Sequence, residues 1–143
     1  GMKETPALSP EALDAQAQSV NALLYKNLPC DAMQKRLQAS AQRRLLVRRT
    51  EEGLRLLLED IAQMRREIDE APLCAQANPR NLEISNLLRA AELMAVAARQ
   101  RRESRGAHYR ADYPQKDESA FASPILLYKQ DGRIASRFLR EKV

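Results

Sequence analysis

The chain has 143 residues, which predicts a single domain, and 44% of them are hydrophobic but only 4% aromatic. Its 24 Lys and Arg residues exceed its 19 Asp and Glu residues, and the net charge of +5 permits contact with nucleic acids or anionic partners without requiring it. The four glycines, at positions 1, 53, 106 and 132, are too far apart to build a dinucleotide-binding or phosphate-binding glycine loop, and no apolar run approaches the ~20 residues of a membrane span.

The first predicted helix begins at Ser9 and ends before Pro29. Ser9 is a typical N-cap, because its hydroxyl accepts a hydrogen bond from the first turn, and Pro10 suits the first helical position. Apolar residues then recur at steps of three and four, as on one face of an amphipathic helix: Leu13, Ala17, Val20, Leu24 and Leu28.

The second and third predicted helices are separated by Thr50. Asp31 and Gln34 are predicted to form a capping box at the start of the second helix. Its apolar positions follow at steps of four: Met33, Leu37, Ala41 and Leu45. Thr50 is predicted to cap the third helix, which ends before Pro72. The buried stripe expected for this helix is Leu54, Leu57, Leu58, Ile61, Met64 and Ile68.

The fourth predicted helix has the most regular apolar face. It opens after Asn78 and Pro79, and Gly106 is predicted to end it, with a basic last turn that suits the negative end of the helix dipole. The expected apolar face is Ile84, Leu87, Leu88, Ala91, Met94, Ala95 and Ala98, and its alanines let a neighbouring helix approach closely. Residues 107–123 are polar and are predicted to form an extended loop.

A β-hairpin is predicted near the C-terminus, over residues 124–139. Two β-prone runs, residues 125–130 and 133–138, flank Asp131 and Gly132, and Asp-Gly between such runs is a strong signal for a tight hairpin turn. An isolated two-stranded hairpin is marginally stable in water, so we expect it to dock on the helices.

The predicted fold is therefore mainly α, an antiparallel bundle of three to four helices with a small C-terminal β-hairpin. Residues 9–143 are predicted to form this single domain. Residues 1–8 are expected to be a disordered lead-in, in which Gly1 is interpreted as a cloning remnant.

The two cysteines are predicted to be reduced, half-buried thiols. Cys30 and Cys74 lie 44 positions apart and follow no metal-ligand spacing, and the chain begins without the apolar segment of a signal peptide. A disulfide between them is the less favoured alternative. Because His108 is the only histidine, the sequence does not supply a set of metal ligands either.

Residues 101–114 concentrate most of the functional side-chain types and read R-R-E-S-R-G-A-H-Y-R-A-D-Y-P. One interpretation is an anion site, in which arginines and His108 beside a glycine turn hold a carboxylate or a phosphate. The favoured interpretation is a helix end whose arginines and acids hold the following loop, because ion-pair networks often imitate active sites. No catalytic residue is assigned, since His108 has no second histidine or nearby cysteine as a partner.

A basic face on residues 35–49 is the second candidate surface. Its cations are Lys35, Arg36, Arg43, Arg44, Arg48 and Arg49, with no acid among these residues. Such a face can bind nucleic acid, but the aromatic residues that commonly accompany nucleic-acid binding are missing. A solvated face, or one that docks on an acidic domain, is favoured. The alternative function carried forward is a basic helical module that binds nucleic acid or an anionic protein surface.

Residues 101–114 resemble the signature near the end of the succinate dehydrogenase and fumarate reductase flavoproteins, of which L-aspartate oxidase carries a close relative. Residues 86–94 are similar to the helix before that signature, and residues 49–54, with Leu37 and Gln38 upstream, resemble the family's corner segment. The resemblance covers roughly residues 28–138, and residues 101–114 carry its specificity.

The resemblance implies the C-terminal helical domain of an FAD-dependent oxidoreductase, which is not catalytic alone. In that family an N-terminal Rossmann-like domain holds FAD, so no cofactor-binding, metal-binding or catalytic residue is assigned to this chain. The signature is interpreted as an interdomain-contact motif made of Arg101, Glu103, Ser104, Arg105, Gly106, His108, Arg110, Asp112 and Pro114. A weak dicarboxylate site at Arg105 and His108 is a third interpretation.

The same resemblance suggests partners and a location. The expected partner is an FAD-binding domain, on the same chain or on a separate subunit, with an iron–sulfur subunit as a further candidate and no nucleic acid. The expected location is the cytoplasm, or the inner face of a membrane complex.

Overall fold

The structure, a computed structural model, describes residues 9–130 and 133–139. The helices in this part of the chain are α1 (Pro10–Leu24), α2 (Cys30–Ala41), α3 (Glu51–Glu70), α4 (Arg80–Gln100) and the short α5 (Glu118–Phe121). A π-helical turn, Gln42–Leu46, extends α2, and two strands follow α5, β1 (Ile125–Gln130) and β2 (Arg133–Phe138). The mainly α fold with a C-terminal hairpin is the one that the sequence predicts.

The hydrophobic core lies where α2 and α3 pack against α4. Its members are Leu28, Cys30, Met33, Leu37, Leu45, Leu54, Leu57, Ile61, Met64, Ile68, Ile84, Leu88, Ala91, Ala95 and Ala98. Each large apolar side chain buried here contributes roughly 1.5–3 kcal/mol relative to leaving it exposed. The predicted stripe of α3 is confirmed, with Leu58 at its partly buried margin. The face of α4 is narrower than predicted, because Leu87 and Met94 are exposed.

The first helix ends earlier than predicted, at Leu24 rather than Leu28. Its end is fixed by the amide of Asn81, which donates hydrogen bonds to the backbone carbonyl groups of Leu23, Leu24 and Lys26. Leu28 still reaches the core, but from the connection that follows α1. The predicted apolar stripe of α1 is not a buried face: every residue of the helix keeps some exposure, and Leu13 is 52% exposed.

Backbone pairing closes this end of the molecule. The connection after α1 runs beside the loop between α3 and α4, where Asn27 N donates to Pro72 O (2.8 Å) and Cys74 N donates to Tyr25 O (2.7 Å). The ammonium of Lys26 adds bonds to the carbonyl oxygens of Asp69 (2.7 Å) and Ala71 (2.8 Å). These carbonyls are left free by the end of α3, so Lys26 acts as a C-terminal cap.

Two of the three predicted helix caps are confirmed. Ser9 Oγ accepts a hydrogen bond from Ala12 N (3.2 Å), and Thr50 Oγ1 accepts one from Gly53 N (3.0 Å). The capping box at Asp31 and Gln34 is wrong. In the described structure α2 begins one residue earlier, at Cys30, without a side-chain cap. The oxygens of Asp31 and Gln34 instead accept hydrogen bonds from Arg80 Nη2, at 2.7 and 3.1 Å.

The end of α4 also differs from the prediction. The helix stops at Gln100 rather than at Gly106, because the buried guanidinium of Arg110 takes up the carbonyl groups of Ala98 and Arg99. The segment predicted as an extended loop, residues 107–123, contains α5. Asp117 caps α5 by accepting hydrogen bonds from the backbone of Ser119 and Ala120.

The hairpin strands are the predicted ones. β1 and β2 pair antiparallel from Ile125 opposite Phe138 to Gln130 opposite Arg133. Both strands contact α4, as expected of a hairpin that cannot be stable alone. The predicted Asp131-Gly132 turn lies outside the described residues, as does the predicted lead-in at residues 1–8.

Both cysteines are free thiols. Cys30 is buried, deeper than the half-buried position expected, and its Sγ donates to Asn81 Oδ1 at 3.2 Å, whereas Cys74 is partly exposed. Burial raises the pKa of the Cys30 thiol, which keeps it protonated. Among the helices of residues 9–130, none combines the length and apolar character needed to cross a membrane.

Candidate functional site

The candidate site is the polar turn, residues 101–114, which follows α4. Its tip is a tight turn in which the backbone groups of Arg105 and His108 exchange hydrogen bonds of 2.8 and 2.9 Å. Gly106 lies in this turn with a φ of +55°, a left-handed conformation that costs a residue with a side chain about 1–2 kcal/mol. Ser104 Oγ accepts from Arg110 N (2.9 Å) and donates to Tyr113 O (2.9 Å), so it closes the base of the turn.

The polar turn is attached to the start of α3 by a short parallel bridge. Arg49 N donates to Tyr109 O (3.1 Å), and Ala111 N donates to Arg49 O (2.8 Å). The bridge joins the connection between the π-helical turn and α3 to the segment that follows α4. The backbone on both sides of the polar turn is therefore held by the helical core.

Arg110 is the centre of the site and is fully buried. A guanidinium carries five N–H donors, and the carboxylate of Asp112 receives two of them, each at 2.8 Å. The other bonds go to the carbonyl oxygens of Ala98 (3.0 Å) and Arg99 (3.2 Å) and to Glu51 Oε2 (3.2 Å). Because every donor is used internally, Arg110 positions the surrounding segments and has no N–H left for a ligand.

Asp112 links this arginine to the first turn of α3. Its Oδ2 accepts a hydrogen bond from Glu51 N at 2.7 Å, which satisfies a backbone donor that the start of a helix leaves free. The hydrogen bonds from Arg110 lower the pKa of Asp112 to about 2. The carboxylate therefore stays ionised and completes a connection between the end of α4 and the start of α3, to which Arg99 adds an ion pair with Glu51.

Glu103 is the second buried charge of the site and is also fully buried. Its carboxylate accepts hydrogen bonds from Arg105 Nε (2.8 Å), Arg101 Nη1 (2.6 Å) and the backbone N of Asp117 (2.8 Å). The bonds from Arg105 contribute most to lowering the pKa of Glu103, to about 2. Glu103 thus joins the end of α4 to the segment that caps α5.

Arg101 links the end of α4 to the segment before the hairpin and to the hairpin itself. Its guanidinium donates to the carbonyl oxygens of Phe121 (2.7 Å) and Ser123 (3.0 Å), and it lies over the ring of Phe138 on β2 at 6.0 Å from the ring centre. The ring of Phe138 also packs edge-to-face on that of Phe121, with 5.3 Å between centres. Arg101 and these two rings therefore add to the contacts between the strands and α4 that attach the hairpin to the helices.

His108 is half-buried and makes one side-chain hydrogen bond within the described residues, from Nε2 to Arg101 O at 3.1 Å. A carbonyl oxygen only accepts, so the proton of the neutral ring lies on Nε2. Burial, followed by the charges of Arg49, Arg110 and Arg101, lowers the pKa of His108. The ring is neutral at pH 7 and lacks the acidic partner that would orient a general base.

The predicted site residues thus come together, but as an internal network. The guanidinium of Arg105 is shared between Glu103 and Glu118 (2.9 Å), whereas the ring of His108 bonds elsewhere, so the two do not form a joint dicarboxylate site. Gly106 and Pro114 are exposed at the surface of the turn. The geometry agrees with the interpretation in which the charges hold the loop.

A match to a known protein family covers the site and most of the helical core. The family described as the fumarate reductase flavoprotein C-terminal domain matches residues 34–142, which is most of the chain. The chain belongs to this family. The predicted resemblance to the succinate dehydrogenase and fumarate reductase flavoproteins is thereby confirmed.

Two curated proteins are similar in sequence to this C-terminal domain. L-aspartate oxidase of Yersinia pestis is 39% identical over 80 residues, which cover 56% of this chain and 15% of the relative. The succinate dehydrogenase flavoprotein subunit of Coxiella burnetii is 34% identical over 95 residues, which cover 62% of this chain and 16% of the relative. The matched part of the chain therefore spans about a sixth of these curated relatives.

The fold of this chain is similar to part of solved flavoprotein structures. The flavoprotein of E. coli quinol fumarate reductase, in a structure of its E245Q variant, superposes with a TM-score of 0.76 at 21% identity. The match covers 96% of this chain and 26% of that one. The helical core and the hairpin of this C-terminal domain thus have the architecture of the corresponding part of a flavoprotein subunit.

The basic face of residues 35–49 is partly neutralised within the domain. Arg36 pairs with Glu67 at 2.7 Å, and Arg44 pairs with Asp60, which also accepts from Ser40. Both acids lie on α3, so part of the face is directed at a neighbouring helix. Where the chain is described, His, Cys, Asp and Glu form no cluster of three or more that is arranged to hold a metal.

Sequence reasoning missed Asn81, which is fully buried in the first turn of α4. Its amide holds the end of α1, and its oxygen accepts from Cys30 Sγ. A signal was present, since Asn81 stands three residues before Ile84 and seven before Leu88 on the apolar face of the helix. A polar residue in such a stripe is expected to have buried hydrogen-bond partners.

Proposed function

We propose that this C-terminal domain packs against the FAD-binding domain of a succinate dehydrogenase/fumarate reductase-type or L-aspartate oxidase flavoprotein, carried by the same polypeptide or by a separate one. The chain alone is not catalytic and does not hold FAD tightly. The observation that carries the proposal is the internal use of the charges of the polar turn: Arg110 and Glu103 are fully buried with their partners inside the domain. Such a network holds a surface of the domain in a fixed shape and leaves neither of these charged groups free to act on a substrate.

The surface that it stabilises carries exposed apolar groups. We call these the apolar rim, and they are Leu46, Val47, Met94 and Tyr109. Val47 is 79% exposed and lies two residues before Arg49, whose backbone is bonded to Tyr109. Exposed apolar side chains grouped beside a rigid polar segment are typical of a surface that a partner covers.

The two domains have different roles in this proposal. When FAD is bound by the partner domain, it supplies the electron-transfer chemistry. The polar turn acts as the interdomain-contact motif, made of Arg101, Glu103, Ser104, Arg105, Gly106, His108, Arg110, Asp112 and Pro114. Within it the fully buried Glu103 and Arg110 hold the turn in shape and do not themselves reach the partner. Contact with an iron–sulfur subunit, and a place in the cytoplasm or at the inner face of a membrane complex, belong to the same proposal. The structurally similar E. coli protein, the flavoprotein of a quinol fumarate reductase, supports it.

The test begins with the full-length gene and its neighbours, which identify the FAD-binding polypeptide. That polypeptide is co-expressed with this chain, and we expect the two to copurify with a flavin absorption spectrum. Val47→Asp places a charge on the apolar rim and is expected to abolish the complex, whereas Leu13→Asp, at an exposed position of α1 outside the rim, is not. Failure of the wild-type pair to associate, or a flavin bound one-to-one to this chain alone, contradicts the proposal.

A further inference from the structure

A hollow lies beside the polar turn, between the π-helical turn, α4 and β1. Its volume is about 320 Å³, enough for a side chain of another protein. Leu45, Ala98 and Ile125 give it apolar walls, and Met94 of the apolar rim stands at its edge. The polar groups that line it are all basic: Arg49, Arg101 and His108.

Arg102 of the polar turn is exposed to water and pairs with no carboxylate among the described residues. Arg49 also pairs with none of them, but it is partly buried. Its Nε is buried and has no hydrogen-bond partner in the described part of the chain. Its Nη1 donates only to the carbonyl oxygen of Ala107, at 3.2 Å. A buried N–H of a cation without an acceptor is costly, since the group has lost its water and gained nothing in return.

The position of Arg49 leaves it little freedom to escape this cost. Its backbone N and O are both bonded to the polar turn, at Tyr109 and Ala111, which fixes the root of the side chain beside the hollow. The two acids of the polar turn already pair with other arginines. Glu103 pairs with Arg101 and Arg105, and Asp112 pairs with Arg110. Within residues 9–130 and 133–139, therefore, no acid forms an ion pair with Arg49.

The pKa shifts of the basic groups around the hollow agree with the missing acid partner among the described residues. Burial, and then the charge of Arg110, lowers the pKa of Arg49. The pKa of His108 is lowered by burial and by the three arginines around it. Burial is the first cause of both shifts and the neighbouring arginine charges add to it, so both groups lie in a partly buried and positively charged site.

We propose that the hollow receives an aspartate or glutamate side chain of the FAD-binding domain, whose carboxylate pairs with Arg49. This inference rests on the proposed function and names the contact that anchors it. The occupant is a protein side chain rather than a free acid, because the exposed Val47 and Met94 beside the hollow require a covering surface at the same place. A carboxylate inserted there is desolvated together with Arg49, which makes a paired contact strong and its disruption expensive.

The first experiment tests the hollow in the 143-residue chain with acetate as the probe. Arginine side-chain NMR signals and the His108 titration are followed as acetate is added. We expect the Arg49 Nε–Hε signal to shift and the pKa of His108 to rise, and both effects to disappear in Arg49→Gln. Arg66→Gln is the matched control, at an exposed arginine whose guanidinium bonds to Gln63 and to no other described side chain. Absence of an Arg49 response to acetate overturns the proposal.

The second experiment uses the complex with the FAD-binding polypeptide. Arg49→Gln is expected to weaken the complex about tenfold or more, and Arg49→Lys, which keeps the charge, to weaken it less. In the wild-type complex acetate should no longer reach Arg49. If the complex forms equally well with Arg49→Gln, or if acetate or fumarate still shifts the Arg49 signal, this inference fails while the proposed function stands. If no wild-type complex forms, both fail. Melting curves of the variants separate loss of folding from loss of binding.

Discussion

The guanidinium of Arg110 meets the carboxylate of Asp112 through two parallel hydrogen bonds, from Nε to Oδ1 and from Nη2 to Oδ2, each 2.8 Å long. Asp112 in turn holds the first backbone N–H of α3, and Arg110 holds the last carbonyls of α4. One ion pair therefore joins the ends of two helices. Because Arg110 is fully buried, the free energy of unfolding depends on this pair more than on a surface salt bridge.

Replacing Arg110 with lysine is expected to lower the free energy of unfolding by about 3 kcal/mol, because an ammonium cannot reach five acceptors in one plane. Urea denaturation measures the change. Arg102→Lys, at an exposed neighbour in the same turn, is the control and should alter stability by less than about 0.5 kcal/mol. Equal losses for the two variants would show that the fork geometry of Arg110 is unimportant.

The stability of the domain is expected to fall as the pH drops from about 5 to about 2. The pKa of Glu103 is lowered to about 2, so the unfolded chain binds a proton at this residue in a range where the folded chain does not. Urea midpoints at a series of pH values measure the effect. Glu103→Gln should be less stable at pH 7 and lose less stability on acidification, whereas Asp14→Asn, on the exposed face of α1, should keep the parent slope. A parent slope in Glu103→Gln would contradict the assignment.

Replacing Gly106 with valine is expected to cost about 1–2 kcal/mol through the backbone alone. The residue has a φ of +55°, and no described atom lies within 4 Å of the position that a Cβ would occupy. Asparagine tolerates this conformation better, so Gly106→Asn should cost less than Gly106→Val. Thermal melts of the three proteins provide the measurement, and identical melting temperatures would argue against backbone strain at this turn.

Replacing Asn81 with alanine is expected to lower the free energy of unfolding by about 2 kcal/mol, since it leaves the buried carbonyls at the end of α1 without their donor. Asn86→Ala, at an exposed position of the same helix, should be neutral or slightly stabilising, because alanine favours helix. Hydrogen exchange should show faster exchange at the end of α1 only in the first variant. Unchanged exchange there would contradict the capping role of Asn81.

Features with a local cause could be predicted from the sequence. The stripe of α3 follows from periodicity, and the Thr50 cap from a hydrogen bond that spans three residues. Both strands of the hairpin follow from two β-prone runs on either side of Asp131 and Gly132. The composition of residues 101–114 also singled out the segment that carries the buried ion-pair network. The favoured interpretation, in which these charges hold the loop, agrees with the ion pairs that Glu103 and Asp112 form with the arginines of the segment.

The missed features depend on residues far apart in the chain. Arg110 and Glu51 are separated by 59 positions, and Asn81 and Leu23 by 58. Rules based on the spacing of nearby residues cannot predict such contacts. These contacts nevertheless determine that α4 ends before Gly106 and that α1 ends before Leu28. The unpaired Nε of Arg49 was equally inaccessible, since it depends on every nearby acid being already engaged.

The two ends of the molecule are closed by different chemistry. At one end backbone groups of the connection after α1 bond to the loop before α4, and Lys26 donates to carbonyls. At the other end carboxylates hold the polar turn, through Glu103 and Asp112. Acid removes charge from the carboxylates and leaves carbonyl acceptors unaffected. Acidification therefore loosens the molecule from the end that faces its proposed partner, and the opposite end remains closed.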